Sequence, residues 1–138
     1  MSNASNPAAL DAPIQTVNAS SLKSPLGHYS HVASHGGFAF ISGQLPVDAE
    51  GTPLVDRPFT DQVKQVLHNI DACLESIGLT RGDLMFVTVY VTDISLWAEF
   101  DRIYEGWIAD HRPARAVAGV KELHFGAAVE VHAVAVTR

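Results

Sequence analysis

Two short stretches hold side chains whose types could do chemistry. In "RPARAVAGV" (112–120) a guanidinium, Arg115, follows Pro113-Ala114 and precedes a small, apolar run. Burying a charge is expensive unless something pairs with it, so Arg115 either extends its head to water or meets an anion. In "AVEVHAVAV" (128–136) the pattern is that of a strand, on which successive side chains alternate faces. Val129, Val131, Ala133 and Ala135 share one face, while Glu130 and His132 share the other. A carboxylate and an imidazole side by side on an otherwise apolar strand form either an exposed polar face or a pair with a task.

Other chemistries find less support. Of seven histidines, His28, His31 and His35 form the obvious cluster. On a strand, residues three apart point to opposite faces, so His28 and His31 do not readily share an ion. There is no CxxC or HExxH pair. Ser42 sits in "ISGQ", not in the G-x-S-x-G context of a nucleophile elbow, and no glycine-rich phosphate loop occurs. "RGD" at Arg81–Asp83 reads as a turn, and Cys73 as a core residue on a helix stripe. No metal or cofactor is expected.

The elements that must position Arg115 and Glu130 follow from periodicity. Residues 1–21, rich in Ser, Asn, Ala and Pro, read as a flexible arm before a domain spanning 22–138. "HYSHVA" and "FAFISG" form a hairpin across Ser34–Gly37, because glycine supplies the positive φ of such turns. Gln44 to Pro58 is a long connection, often a functional one at that length. From Asp61 to Ile77 the apolar residues Val63, Val66, Leu67, Ile70, Cys73, Leu74 and Ile77 fall on one helical face. Thr60 can cap this helix, and Gly78 can end it. "LMFVTVYVT" alternates as a strand. A second helix begins near Ser95 and closes before Pro113, and "ARAVAGV" and "AVEVHAVAV" make two final strands around a turn at 124–126. The order is ββ-α-β-α-ββ, an α+β domain with both helices on one face of a mixed sheet.

Composition sets the bounds. A chain of 138 residues is one domain, able to bury about 68–70% of its unfolded surface. It is 47% apolar and only 17% charged, which favours covering part of the surface with copies of itself. The net charge of −6 is the wrong sign for tracking a phosphate backbone, so no nucleic acid partner is expected. One cysteine cannot form an internal disulfide, and no apolar run reaches the ~20 residues of a membrane span. With neither a secretory signal nor an Arg-rich transit peptide at the start, a soluble cytoplasmic protein is expected.

Five stretches carry a resemblance: "GHYSHVA…FAFISGQLPVD", "DQVKQVLHNIDACLESIG", "VTVYVTDI", "FDRIYEGW" and "RPARAVAGVKEL…GAAVEVHAVAV". From about Pro25 to the C-terminus the chain resembles the RidA (YjgF) family of enamine/imine deaminases. The resemblance implies a chorismate-mutase-like fold, a homotrimer and ligand clefts between subunits. It also implies hydrolysis of 2-imino acids and their enamine tautomers to 2-keto acids and ammonia, without a cofactor. Arg115 would bind the carboxylate of a small imine or enamine, and Glu130 would orient the attacking water. Tyr29, Ser42 and Gly43 would line the cleft, with Asp101 where the family often has asparagine. The chain departs from the family pattern at His132, where a second glutamate is usual, and at Ala116-Val117, where a small polar or thiol-bearing pair is usual. An Asp101 facing the cleft would oppose an anionic substrate. Alternatives within the resemblance are a non-catalytic carboxylate-binding or regulatory member, and an endoribonuclease or translation inhibitor.

Overall fold

The computed structural model describes residues 11–137. Its hairpin is closed by Gly36 and Gly37, at φ 61° and 89°, a turn in which both central residues lie in the left-handed region. This joins β2 (Val32–His35) to β3 (Phe38–Gln44). Ahead of them runs a short strand, β1 (Gln15–Val17), antiparallel to β2. Then follow α1 (Phe59–Ser76), β4 (Leu84–Val91), α2 (Trp97–Ile108), β5 (Ala114–Gly119) and β6 (Val129–Val136). The six strands form one sheet in the order β1-β2-β3-β6-β4-β5, antiparallel except for β4 beside β5. A parallel neighbour requires a crossover, and α2 supplies it.

The expected α+β architecture is present, with one strand more. Residues 15–21, expected within an arm, belong to the folded unit. Asn18 Oδ1 accepts the His31 backbone N–H at 3.0 Å, and the buried Ala19 donates its own N–H to His31 Nδ1 at 3.0 Å. A three-residue strand with two polar members has no readable period, and its register is set by its neighbour. Of the rest of that arm, residues 1–10 lie outside the described residues. The strand expected from His28 begins at Val32.

Burial confirms the helical stripe. Val63, Val66, Leu67, Ile70, Cys73 and Leu74 of α1 pack with Phe100, Tyr104 and Ile108 of α2 on Ile41, Val87, Val89, Val131 and Ala133. Each fully buried aliphatic side chain contributes about 1.5–3 kcal/mol. Burial pushes the Cys73 thiol up to about 12, so it is an inert core group. Gly78, at φ 72°, ends α1 as expected: its N–H reaches the Glu75 carbonyl and that of Leu79 the Leu74 carbonyl, the paired bonds of a left-handed C-terminal cap. The N-terminus differs, because Pro58 holds the cap position and Thr60 donates its hydroxyl to Glu99 Oε1 at 2.6 Å. That bond ties α1 to α2 instead. A one-turn 3-10 segment (Ile94–Leu96) precedes α2, which therefore starts at Trp97.

Two polar residues on α1 organise the long connection. Asn69 Nδ2 donates to the Leu45 and Val47 carbonyls at 3.0 Å each. Gln62 Nε2 donates to the Arg57 carbonyl at 3.0 Å, while its Oε1 accepts the Ala128 N–H at 3.0 Å. Both side chains are buried and fully engaged. Loop 45–57 is thus held against the end of β6 that carries Glu130. The face of the sheet away from the helices is bare: Phe38, Phe40, Phe86 and Val136 are 36–56% exposed there.

Candidate functional site

Pairing decides which candidate residues meet. Arg115 is opposite Val87, which in turn is opposite Ala133, all on the helix-covered face. Glu130 is opposite Tyr90, and His132 opposite Thr88, on the bare face. Within one chain Arg115 and Glu130 therefore lie on opposite faces of the sheet. Two half-sites result.

The first is centred on Glu130. β3 pairs Ile41 with Ala133 and then Gln44 with Val131, so Ser42 and Gly43 together oppose His132. This β-bulge brings Gly43 against the Glu130 carboxylate: a Cβ added at Gly43 would lie 3.0 Å from Oε2. Ser42 engages the chain just before β2. Its hydroxyl donates to the Ser30 carbonyl at 2.6 Å and its N–H to the His31 carbonyl at 2.9 Å, anchoring the segment that carries Tyr29. Tyr29 is half-exposed, its ring folded over Gly27. Tyr29 and Gly43 line a cavity of about 310 Å³, with Leu26, Leu45, Asn69, His124 and Phe125 among its walls.

Glu130 is half-buried, and desolvation raises its carboxyl above the ordinary carboxylate value. The charges of His132 and His124 oppose that rise. Tyr90 holds His132 in place, its hydroxyl hydrogen-bonded to Nε2 at 3.1 Å and the two rings stacked 5.6 Å apart. A carboxylate with a raised pKa is a better proton acceptor near neutrality than an exposed one.

The second half-site surrounds Arg115 on the edge strand β5. Its Nη1 donates to Asp101 Oδ1 at 2.7 Å, and the guanidinium lies 4.9 Å above the Tyr104 ring. Asp101 thus meets the guanidinium itself, fixing its orientation while using one of five N–H donors. The Tyr104 hydroxyl is buried and without a hydrogen-bond partner, a costly state. These residues border an open groove of about 560 Å³ with His111 and Arg112. His28 and His35 do not join His31, whose ring is engaged by Ala19 and whose pKa is lowered by burial.

His124, Phe125 and Tyr104 were not among the residues the sequence singled out. Phe125-Gly126 lies in a predicted turn, and Tyr104 within the predicted second helix with nothing in its spacing to set it apart.

A single mixed six-stranded sheet with two helices packed on one face is the chorismate-mutase-like architecture. A family model described as "Endoribonuclease L-PSP" matches residues 20–137. A RutC family protein of Aquifex aeolicus is 45% identical over 114 residues, covering 81% of this chain and 90% of that one. The 2-iminobutanoate/2-iminopropanoate deaminase of Salmonella typhimurium is 32% identical over 127 residues, or 90% and 98% of the two chains. The crystal structure of the E. coli YjgF gene product superposes with a TM-score of 0.83 at 29% identity, covering 90% and 99%. The chain belongs to the RidA (YjgF) family.

Proposed function

We propose that this protein hydrolyses reactive 2-imino acids, and the enamines that tautomerise to them, to 2-keto acids and ammonia. Arg115 of one copy grips the substrate carboxylate, and Glu130 of a neighbouring copy handles the proton of the attacking water. The observation that carries this reading is Glu130, a half-buried carboxylate of raised pKa packed against Gly43, which itself lines a ligand-sized cavity. The deaminase name of a relative 32% identical supports it.

The chemistry asks little of the protein. A protonated imine carbon is already electrophilic, so water adds to it directly as Glu130 accepts the water proton. A proton then reaches nitrogen, the C–N bond breaks, and ammonia leaves as the keto group forms. Positioning and one general base suffice, the latter worth about 10²–10⁴-fold. Arg115 supplies position: a planar fork grips a carboxylate through two parallel hydrogen bonds.

Because the two residues lie on opposite faces of one sheet, the reading requires copies side by side. β5 is an edge strand, and the bare apolar face continues from it. We assign the assembly as a homotrimer with sites between subunits. The test generates 2-aminoacrylate and other imino acids in situ and compares keto-acid release with and without the protein. Equal rates would overturn the deaminase reading.

A further inference from the structure

Phe125 has no structural reason to be a phenylalanine. It adopts φ 65°, ψ 3°, in the left-handed region that glycine or asparagine occupies at little cost and a bulky residue does not. Core packing does not explain the choice, since the side chain is 38% exposed. The backbone there needs only a turn, which Gly126 at φ 76° continues. What the conformation achieves is presentation. It sets the Phe125 ring 3.9 Å from that of His124, and both rings against the 310 Å³ cavity. Strain retained at a cavity wall points to use by a ligand.

The cavity wall is mixed, with Lys23, Asp48 and Asn69 among its polar members. Gly43 and His124 mark the side on which Glu130 sits, while Leu26, Tyr29, Leu45 and Phe125 supply apolar walls. Its volume falls at the lower bound of small-molecule sites, about 300 Å³, more room than a methyl or ethyl side chain fills. We propose that Phe125 is a specificity-determining residue. It selects imines and enamines bearing a branched aliphatic or aromatic side chain, which lies on its ring while the reacting carbon stands near Glu130. This rests on the deaminase reading given above.

The test compares kcat/KM for imines generated by an amino-acid oxidase from leucine, phenylalanine and 2-aminobutanoate. The native protein favours the larger two by about tenfold or more, as apolar pockets discriminate methylene groups. Phe125→Gly relieves the backbone while removing the ring, and Phe125→Ala removes the ring alone; in both, the large-to-small ratio falls toward one. Calorimetric titration with 4-methyl-2-oxopentanoate and 2-oxobutanoate gives a readout independent of turnover. A protein inactive on every imine that still prefers the larger keto acid, and loses that preference in Phe125→Gly, would support this inference while the deaminase reading falls. A ratio unchanged in both variants, or a native protein without preference in rate and binding, overturns it. So does an unchanged ratio with an altered oligomeric state, which would make Phe125 a contact between copies.

Discussion

At the scale of single residues, the arrangement of Arg115 and Asp101 changes what a substitution should do. Their ion pair is partly exposed, at 20% and 37% for the two side chains, so losing it costs at most about 1 kcal/mol. Arg115→Ala therefore folds, and abolishes turnover of carboxylate-bearing imines. Arg115→Lys does not rescue it, because a point charge on a flexible stem lacks the fork. Glu130→Gln preserves shape and lowers kcat by about 10²-fold, measured as initial keto-acid release. Near-normal activity in Arg115→Ala would end the clamp argument. The pH profile offers a second check. Burial raises the Glu130 pKa, so the basic form is lost at a higher pH than for an exposed glutamate. The acid limb of kcat/KM should lie above the ordinary carboxylate range and disappear in Glu130→Gln. The same shift makes native Glu130 most favourable to folding below the ordinary carboxylate pKa, a contribution lost as pH rises through the raised value.

At the scale of elements, the site depends on how β1, β2 and the loop after β3 are pinned. His31 connects β1 to β2 as a buried neutral ring accepting from Ala19. Desolvation lowers its pKa from 6.5, and a backbone hydrogen bond to Lys23 offsets this only in part. A depressed histidine stabilises the fold above its ordinary pKa and loses that contribution as pH falls through the folded value. Melting temperature followed from pH 8 to pH 5 should fall in the native protein and fall less in His31→Gln, which starts lower. Parallel curves would show that His31 is not the group responsible. Another clamp fixes the far ends of the helices: Arg81 makes a two-bond pair with Asp71 at 2.8 Å, and Trp107 Nε1 donates to the same carboxylate at 2.9 Å. The "RGD" turn is structural.

At the scale of the whole molecule, the bare sheet face is the feature that asks for a partner. Phe38 and Phe40 of β3, Phe86 of β4 and Val136 of β6 expose apolar surface that a second copy would cover. Sedimentation should give a trimer at micromolar concentration, and Phe40→Glu should give a folded, inactive, smaller species. A stable native monomer would sink both the assembly and the shared site. If each site combines Arg115 of one copy with Glu130 of the next, mixing Arg115→Ala with Glu130→Gln and reassembling should raise activity well above that of either variant alone. That rise would not occur were both residues drawn from one chain. RNA is a separate question, raised by the endoribonuclease description of the matching family model. With a net charge of −6, counterion release offers little driving force, and no salt-sensitive RNA binding is expected at physiological ionic strength. Among the described residues no helix is long and apolar enough to cross a membrane.

Local chemistry made much of this legible beforehand. The α1 stripe, the glycine hairpin, the Gly78 stop and the alternation of β6 depend on neighbours within a few positions, so the amino-acid order alone determined them. The "P-A-R" and "V-E-V" segments likewise marked Arg115 and Glu130 and pointed to the family. Tertiary structure decided what depends on distant partners. It placed three residues of β1 in the sheet through register with β2. It gave Thr60 a partner 39 residues away in place of a cap, and made Asp101 the partner of Arg115. It set Arg115 and Glu130 on opposite faces, because β5 and β6 both align on β4 and each pairing carries its alternation across the sheet. That registration is a property of the assembled sheet, and no stretch of sequence contains it.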